Sequence, residues 1–496
     1  MIEETSKENI NRRIQMAAEA YQFLKNTTVK ERAAFMNAVA DKIEALGEEL
    51  LTTANAETSL PLARLTGEKT RTTGQWRSYA KAVATGTYTE PRIDLAQPDK
   101  QKGDIRKYNV GIGPVVVFGA SNFPFAFSTA GGDTASAIGA GCPVIVKAHP
   151  AHSETSQMMA DAITDAVTAF GWPEGIFSHI TGTSYEIGTY LTQHPDIRAV
   201  AFTGSFNGGK ALFDIANRRE NPIPVFAEMG SINPVFALPD LLENKAEAFA
   251  KEYLSSLTLG VGQFCTNPGV CIALKGESLD RFIITLKKEI QEVVPAKMLH
   301  KGIYENFEKH KTRAAEQPEV HIIAAADTEI NEWQARTMVI KTSARNFIKN
   351  PVLNEEVFGP FGIIVICETR DEMVEIAQQL KGQLTITVAA TDEDIRNHFM
   401  LINFLKDKCG RLLFNGMPTG VEVVYAMQHG GPFPSTTDSR FTSVGPDAVK
   451  RFIRPISFQN WPDEFLPEEL KNENPLQISR IVDGEVNSGS LKLQTT

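Results

Sequence analysis

Pro114-Val115-Val116-Val117-Phe118 is the first of five short apolar runs, followed by Pro143-Val144-Ile145-Val146-Lys147, Ile176 to Thr181, Ala199-Val200-Ala201-Phe202-Thr203 and Val225 to Met229. Longer amphipathic stretches separate them. β-branched runs alternating with helix-length segments predict a parallel sheet with crossover helices, an α/β architecture. One crossover is well marked. Ser153 to Phe170 offers Ser153 and Ser156 as caps, carries Met159, Ile163, Ala166, Val167 and Phe170, and stops at Gly171 with Pro173 beyond. A doubly wound sheet of this kind binds ligands at the C-terminal ends of its strands.

Before Val110 the pattern is helical: Thr28 to Leu51 sets Ala34, Phe35, Val39, Ile43 and Leu46 at spacings of three and four, which predicts a packing stripe. After Met229 a second α/β region extends to Gly430, with apolar runs at Phe361 to Cys367 and Leu384 to Ala390. The tail beyond Pro446 is poorer in pattern, and Asn474 to Thr496 is expected to be an extended arm. No repeat, low-complexity tract or Pro-rich linker interrupts the chain.

A chain of 496 residues exceeds what one core supports, so several domains are expected. Its formal charge of −10 and lack of any Lys/Arg-rich run argue against nucleic acid or an anionic membrane and point to a small-molecule partner. Five cysteines, odd in number and never spaced Cys-x2-Cys, argue against a disulfide framework and a zinc cluster, so no metal is expected and a reducing cytosol suits the chain. The polar start, Met1 to Arg13, and the absence of a long apolar run show neither signal peptide nor anchor. A cytoplasmic enzyme is expected.

The chemistry starts at Val261-Gly262-Gln263-Phe264-Cys265-Thr266-Asn267-Pro268-Gly269, where a cysteine stands among small, turn-forming residues. Cys142, Cys271 and Cys367 lie in or beside apolar runs and read as packing; Cys265 reads as an exposed loop thiol. Glu228 ends the run Pro224-Val225-Phe226-Ala227, a costly place for a carboxylate unless it is a buried ion pair, a cap or a general base with a raised pKa. Asn122, before Phe123-Pro124, is either a turn residue or an amide donor to a developing oxyanion, with Phe123, Phe125 and Phe127 as an apolar funnel. Thr203-Gly204-Ser205-Phe206-Asn207-Gly208-Gly209 follows a strand and opens a helix, where free N–H groups attract phosphate. It is not the G-x-G-x-x-G fingerprint, and no Walker A sequence occurs.

In this order Asn122, Lys147, Gly204 to Gly209, Glu228-Met229-Gly230, Gly262 to Thr266 and Glu356 to Pro360 resemble the aldehyde dehydrogenase superfamily over nearly the whole chain. The resemblance implies a Rossmann-like cofactor domain (1–228, with a strand-like oligomerisation segment near 100–110), an α/β catalytic domain (229–430), and a return to the cofactor domain with a small oligomerisation arm (431–496). It implies that Cys265 attacks an aldehyde, that the Asn122 amide and the Cys265 N–H hold the resulting oxyanion, and that hydride leaves for a nicotinamide. Glu228 then activates water against the thioester. Glu356 is implied to hold the nicotinamide ribose, with Phe358 beside it and Gly204, Ser205 and Gly209 at the phosphates.

Three departures, at Ser231-Ile232-Asn233-Pro234, Lys147-Ala148-His149-Pro150 and Gly430-Gly431-Pro432-Phe433-Pro434, resemble the branch of α-ketoglutarate semialdehyde and NADP-dependent fatty aldehyde dehydrogenases. The second removes a ribose carboxylate. NADP is therefore expected over NAD, its 2′-phosphate drawn to Lys147 and Lys210, although Lys210 also suits a solvated helix face. The substrate expected is 2,5-dioxopentanoate, its far end met by Arg71, for which a structural salt bridge is the alternative role. A long-chain alkanal, transfer to coenzyme A and a non-catalytic binding protein are the rival readings. Family resemblance implies a homodimer or homotetramer.

Overall fold

The computed structural model describes residues 3–327 and 330–491. The chain opens with helices α1 (Lys7–Leu24), α2 (Val29–Ala45), α3 (Gly47–Thr58) and α4 (Leu62–Ala84), then leaves the body as strands β1 (Arg92–Asp94) and β2 (Ile105–Gly111). It returns through β3 (Val115–Phe118), α5 (Gly132–Gly139), β4 (Val144–Lys147), α6 (Ser153–Ala169), β5 (Phe177–Ile180), α7 (Tyr185–Gln193), β6 (Ala199–Thr203), α8 (Phe206–Asn217) and β7 (Val225–Glu228). All pairings within β3 to β7 are parallel, in the order β5-β4-β3-β6-β7. The sheet thus reverses direction between β3 and β6, and the ligand crevice of such a sheet lies at their C-terminal ends, Phe118 and Thr203.

Period-two burial explains why the strands are apolar throughout. Val115, Val117, Val144 and Val146 pack with Phe35, Trp76, Ile138 and Met159, whereas Val116, Ile145 and Val200 pack on the other side with Ile10, Ile14, Leu191 and Leu212. Each fully buried valine contributes roughly 1.5–3 kcal/mol. In α2 the stripe differs from the expected one in one place: Ala34 is exposed, while Ala33, Phe35, Met36, Val39 and Ile43 are buried. The capping of α6 also differs. Ser156 is buried and bonds Thr129 and His179, and the free N–H groups of Glu154 and Thr155 are taken by the Glu57 carboxylate from α3, each at 2.9 Å.

Among the described residues a second sheet has seven strands. It comprises β8 (Val235–Ala237), β9 (Val270–Leu274), β11 (His321–Ala325), β13 (Met338–Ser343), β14 (Phe361–Cys367), β15 (Gln383–Ala389) and β16 (Cys409–Phe414), ordered β11-β13-β14-β9-β8-β15-β16, with only β11 antiparallel. A two-residue ladder joins β10 (Ala296–Lys297) to β12 (Gln334–Ala335). The tail adds β17 (Ile453–Gln459), β18 (Arg480–Val482) and β19 (Glu485–Asn487) to the arm, ordered β17-β2-β1-β18-β19. β17 runs antiparallel to the whole of β2. Its half-exposed faces hide it from pattern reading. Of the expected arm from Asn474, β18 and β19 are strands; residues 492–496 of that expectation lie outside the described residues.

Candidate active site

Helix α4 builds the entrance. Arg64, Glu68 and Arg71 recur at spacings of four and three, and therefore share one face. Glu68 is buried there and accepts the N–H groups of Phe125 (2.9 Å) and Ala126 (3.0 Å), fixing the loop after β3. Arg64 donates to the carbonyl of Asn122 at 3.1 Å and lies over the rings of Phe123 and Phe264. Phe123 meets Phe127 edge-on at 5.3 Å and Phe264 at 5.5 Å, so two of the expected aromatics cluster together with Phe264. Phe125 belongs to the core instead, fully buried. Arg71 stands over Phe127, and its Nη1 is buried without a hydrogen-bond partner.

The cysteine loop is held in a strained shape. Gly260, Val261 and Gly262 all have positive φ (56°, 59° and 64°), and for β-branched Val261 this costs about 1–3 kcal/mol. Gly262 tolerates no side chain, because a Cβ there would sit 2.4 Å from the Gly359 carbonyl oxygen. Buried hydrogen bonds offset the strain. Asn233 donates to the carbonyls of Cys265 (2.9 Å) and Asn267 (3.0 Å), while Gln383 accepts from Ser231 Oγ and from the N–H groups of Ile232 and Asn233. The departure Ser231-Ile232-Asn233 is thus the clamp of the nucleophile loop. Asn122 Nδ2 reaches the same loop, donating to the Gln263 carbonyl at 3.1 Å and keeping one amide hydrogen for another acceptor.

Cys265 Sγ lies 3.6 Å from His429 Nε2, and that nitrogen lies 2.9 Å from Glu228 Oε1. Ser443 donates to Glu228 Oε2 at 2.5 Å. Burial pushes the Cys265 thiol well above its ordinary value, Glu228 and Glu356 add to the push, and Arg71 opposes it. Glu228 corrects the expectation of a raised base. Burial alone would raise it, but the His429 charge and hydrogen bonds from His429, Ser443 and Cys265 hold it below the usual carboxyl range. It is therefore ionised at neutral pH. Segment Ser435 to Thr437 runs beside it, with Met229 N–H donating to the Ser435 carbonyl at 2.8 Å. The other cysteines named as packing are buried, and burial takes the Cys271 and Cys367 thiols up to about 12.

A cleft is lined by Ser231, Gly262, Phe264, Glu356 and Phe358, of which Gly262 and Phe264 belong to the cysteine loop. The Glu356 carboxylate presses on Gly230, whose Cβ would lie 2.5 Å from Oε2. Burial holds Glu356 up to about 7 against one N–H from Ser231 at 3.3 Å, so the carboxylate lacks donors. Ser205 caps α8 by accepting the Gly208 N–H, and Gly204 N–H donates to the Glu228 carbonyl. Gly209 faces Met229, where a Cβ would lie 2.7 Å from the side chain, so the absence of one lets α8 pack closely there. Lys147, at the end of β4, donates to the Gly182 carbonyl at 2.7 Å. Lys210 pairs with both Asp214 oxygens at 2.7 Å on a half-exposed helix face, in keeping with the solvated role that its position also allowed.

His429, Arg64, Glu68 and Ser443 escaped the sequence reading. The available signal for Arg64 and Glu68 was their helical spacing with Arg71. For His429 it was only its place before Gly430-Gly431.

Among the described residues no helix is long and apolar enough to cross a membrane. The aldehyde dehydrogenase family model matches residues 1–455. The chain is 47% identical over 480 residues to alpha-ketoglutaric semialdehyde dehydrogenase 2 of Azospirillum brasilense, covering 96% of this chain and 91% of that one. It is 41% identical to alpha-ketoglutaric semialdehyde dehydrogenase of Acinetobacter baylyi, covering 98% and 92%. Among solved structures, NAD-dependent aldehyde dehydrogenase from Sinorhizobium meliloti matches with a TM-score of 0.77 at 22% identity, covering 92% of this chain and 88% of that one, a likeness of fold. With the family model spanning Asn122, Glu228, Cys265 and Glu356 alike, the chain belongs to the aldehyde dehydrogenase family.

Proposed function

We propose that this enzyme oxidises 2,5-dioxopentanoate to 2-oxoglutarate, with NAD(P) as oxidant. The observation that carries the substrate is Arg71, whose Nη1 is buried without a partner beside the aromatic cluster and whose charge is felt at Cys265. Nη2 of the same guanidinium donates to the Val421 carbonyl at 3.4 Å, which leaves Nη1 to meet a carboxylate at the far end of a short aldehyde. The two relatives named as semialdehyde dehydrogenases support the same substrate.

The residues fit a nicotinamide cofactor: Glu356, short of donors in its cleft, is suited to ribose hydroxyls, with Phe358 beside it and Lys147 at the adenosine side. When bound, the cofactor accepts a hydride. The chain's own groups do the rest. The Cys265 thiol loses its proton to water, Arg71 and the His429 contact at 3.6 Å favour the thiolate, and the thiolate adds to the aldehyde carbon. Asn122 Nδ2 and the Cys265 N–H hold the oxyanion. After hydride loss leaves a thioester on Cys265, Glu228 removes a proton from water, hydroxide adds to the acyl carbon, and the thiol is released with the carboxylate product. Transfer to coenzyme A would leave Glu228 without a task, so NAD(P)H formation without added thiol is expected.

The assignment is tested by kcat/KM for 2,5-dioxopentanoate against hexanal, with a preference for hexanal favouring the fatty aldehyde reading that the phenylalanines also suit. Arg71→Gln is expected to raise KM for the dioxo acid by about tenfold or more and to leave that for hexanal nearly unchanged. For His429→Gln, kcat/KM is expected to fall about a hundredfold and its acidic limb to move to higher pH, because the thiol, already raised by burial, then loses the His429 contact at 3.6 Å that supports its anion. An unmoved pH profile would leave His429 a merely structural neighbour. We place the enzyme in the cytoplasm as a homodimer or homotetramer; exposed Trp461, Phe465 and Val486 on the arm support assembly there.

A further inference from the structure

The second strand of a doubly wound half ends where dinucleotide enzymes read the adenosine ribose, a carboxylate there selecting the 2′-hydroxyl and a cation the 2′-phosphate. In this chain that strand is β4, and Lys147-Ala148-His149-Pro150 brings a cation and no acid. A carboxylate arrives from the other end of the sequence. Glu4, ahead of α1, reaches the turn between β5 and α7. Its Oε1 accepts the N–H groups of Thr183 at 3.1 Å and Ser184 at 2.8 Å, and its Oε2 accepts the Ser184 hydroxyl at 3.2 Å.

The same turn holds Lys147, whose Nζ donates to Gly182. A Cβ built on Gly182 would lie 3.6 Å from the Glu4 carboxyl carbon, so cation and carboxylate bear on one residue. The segment that carries Glu4 is tied down. Thr5 N–H donates to the Thr181 carbonyl at 3.1 Å, Thr181 N–H donates to Thr5 Oγ1 at 3.1 Å, and the Thr181 hydroxyl donates to the Glu3 carbonyl at 2.8 Å. The charges also interact: Glu4 supports the Lys147 ammonium against the burial that would lower it.

We propose that Glu4 is the cofactor-selecting carboxylate, supplied by the N-terminal segment in place of the missing one after β4, and that it makes the enzyme prefer NAD to NADP. Glu4 offsets the charge of Lys147 and repels a 2′-phosphate. Lys210, the other cation expected at the 2′-phosphate, has its own charge offset by Asp214. The preference expected from Lys147-Ala148-His149-Pro150 alone is thereby reversed.

The inference rests on the cofactor placement proposed above, and binding to the full-length apoenzyme separates the two. Calorimetry with ADP-ribose and 2′-phospho-ADP-ribose is expected to show tighter binding of the first to the wild type. Glu4→Gln, which keeps an acceptor oxygen for Thr183 and Ser184, is expected to tighten binding of the phosphorylated ligand about tenfold while ADP-ribose stays within about twofold. Glu4→Lys should move the ratio further in the same direction. An unchanged ratio in both variants, with or without a fall in Tm, would make Glu4 a helix cap only and overturn the proposal. If neither ligand bound the wild type, the cofactor placement and the role of Glu4 would fall together.

Discussion

Replacing Cys265 by alanine is expected to lower kcat by about 10⁴-fold or more and to abolish the first-turnover burst of NAD(P)H. No second nucleophile stands in reserve, since Cys142, Cys271 and Cys367 are buried in cores and Cys409 lies on β16. The loss should be chemical rather than structural. The loop is held through the Cys265 carbonyl by Asn233 and by the clamp of Ser231 and Gln383, none of which uses the sulfur. Stability is therefore expected to change by less than about 1 kcal/mol, measured by denaturant unfolding. A large drop in stability would move the effect from chemistry to folding.

Glu228→Gln is expected to divide the reaction. Thioester formation does not need the carboxylate, so the burst survives; hydrolysis does, so steady-state turnover falls about 10²–10³-fold. The charge on Glu228 raises the Cys265 thiol, hence its removal lowers that value, and the acidic limb of the burst rate should move to lower pH. Ser443 and His429 remain to contact the amide. Stopped-flow absorbance of NAD(P)H separates burst from turnover. Equal loss of both phases would contradict separate tasks for Cys265 and Glu228.

Cys265, Glu228 and Asn122 were legible because each breaks a local pattern: a thiol among turn formers, a carboxylate ending an apolar run, and an amide directly after a strand. The parallel sheet was legible from Val115 to Val117 and its repeats, since valines buried on both faces leave a continuous apolar run. His429 was not legible. It is one of nine histidines, in an unpatterned stretch 164 residues from Cys265, and the fold alone joins them. Glu4 has the same character, an ordinary acid in a polar leader until the Thr5 and Thr181 contacts carry it to the end of β5. Lys210 shows the converse. Its place at a helix start suggested a phosphate cation, but Asp214 one turn later supplies an ion pair that reading single residues overlooks.

The chemistry and the substrate meet in one species, the acyl-enzyme. Glu228→Gln mixed with 2,5-dioxopentanoate and cofactor, quenched in acid and digested, is expected to yield one acyl adduct per chain on the peptide containing Cys265, and none when cofactor is omitted. An enzyme that turns over without such an adduct, or that carries it on another cysteine, would contradict the assignment of Cys265 as nucleophile.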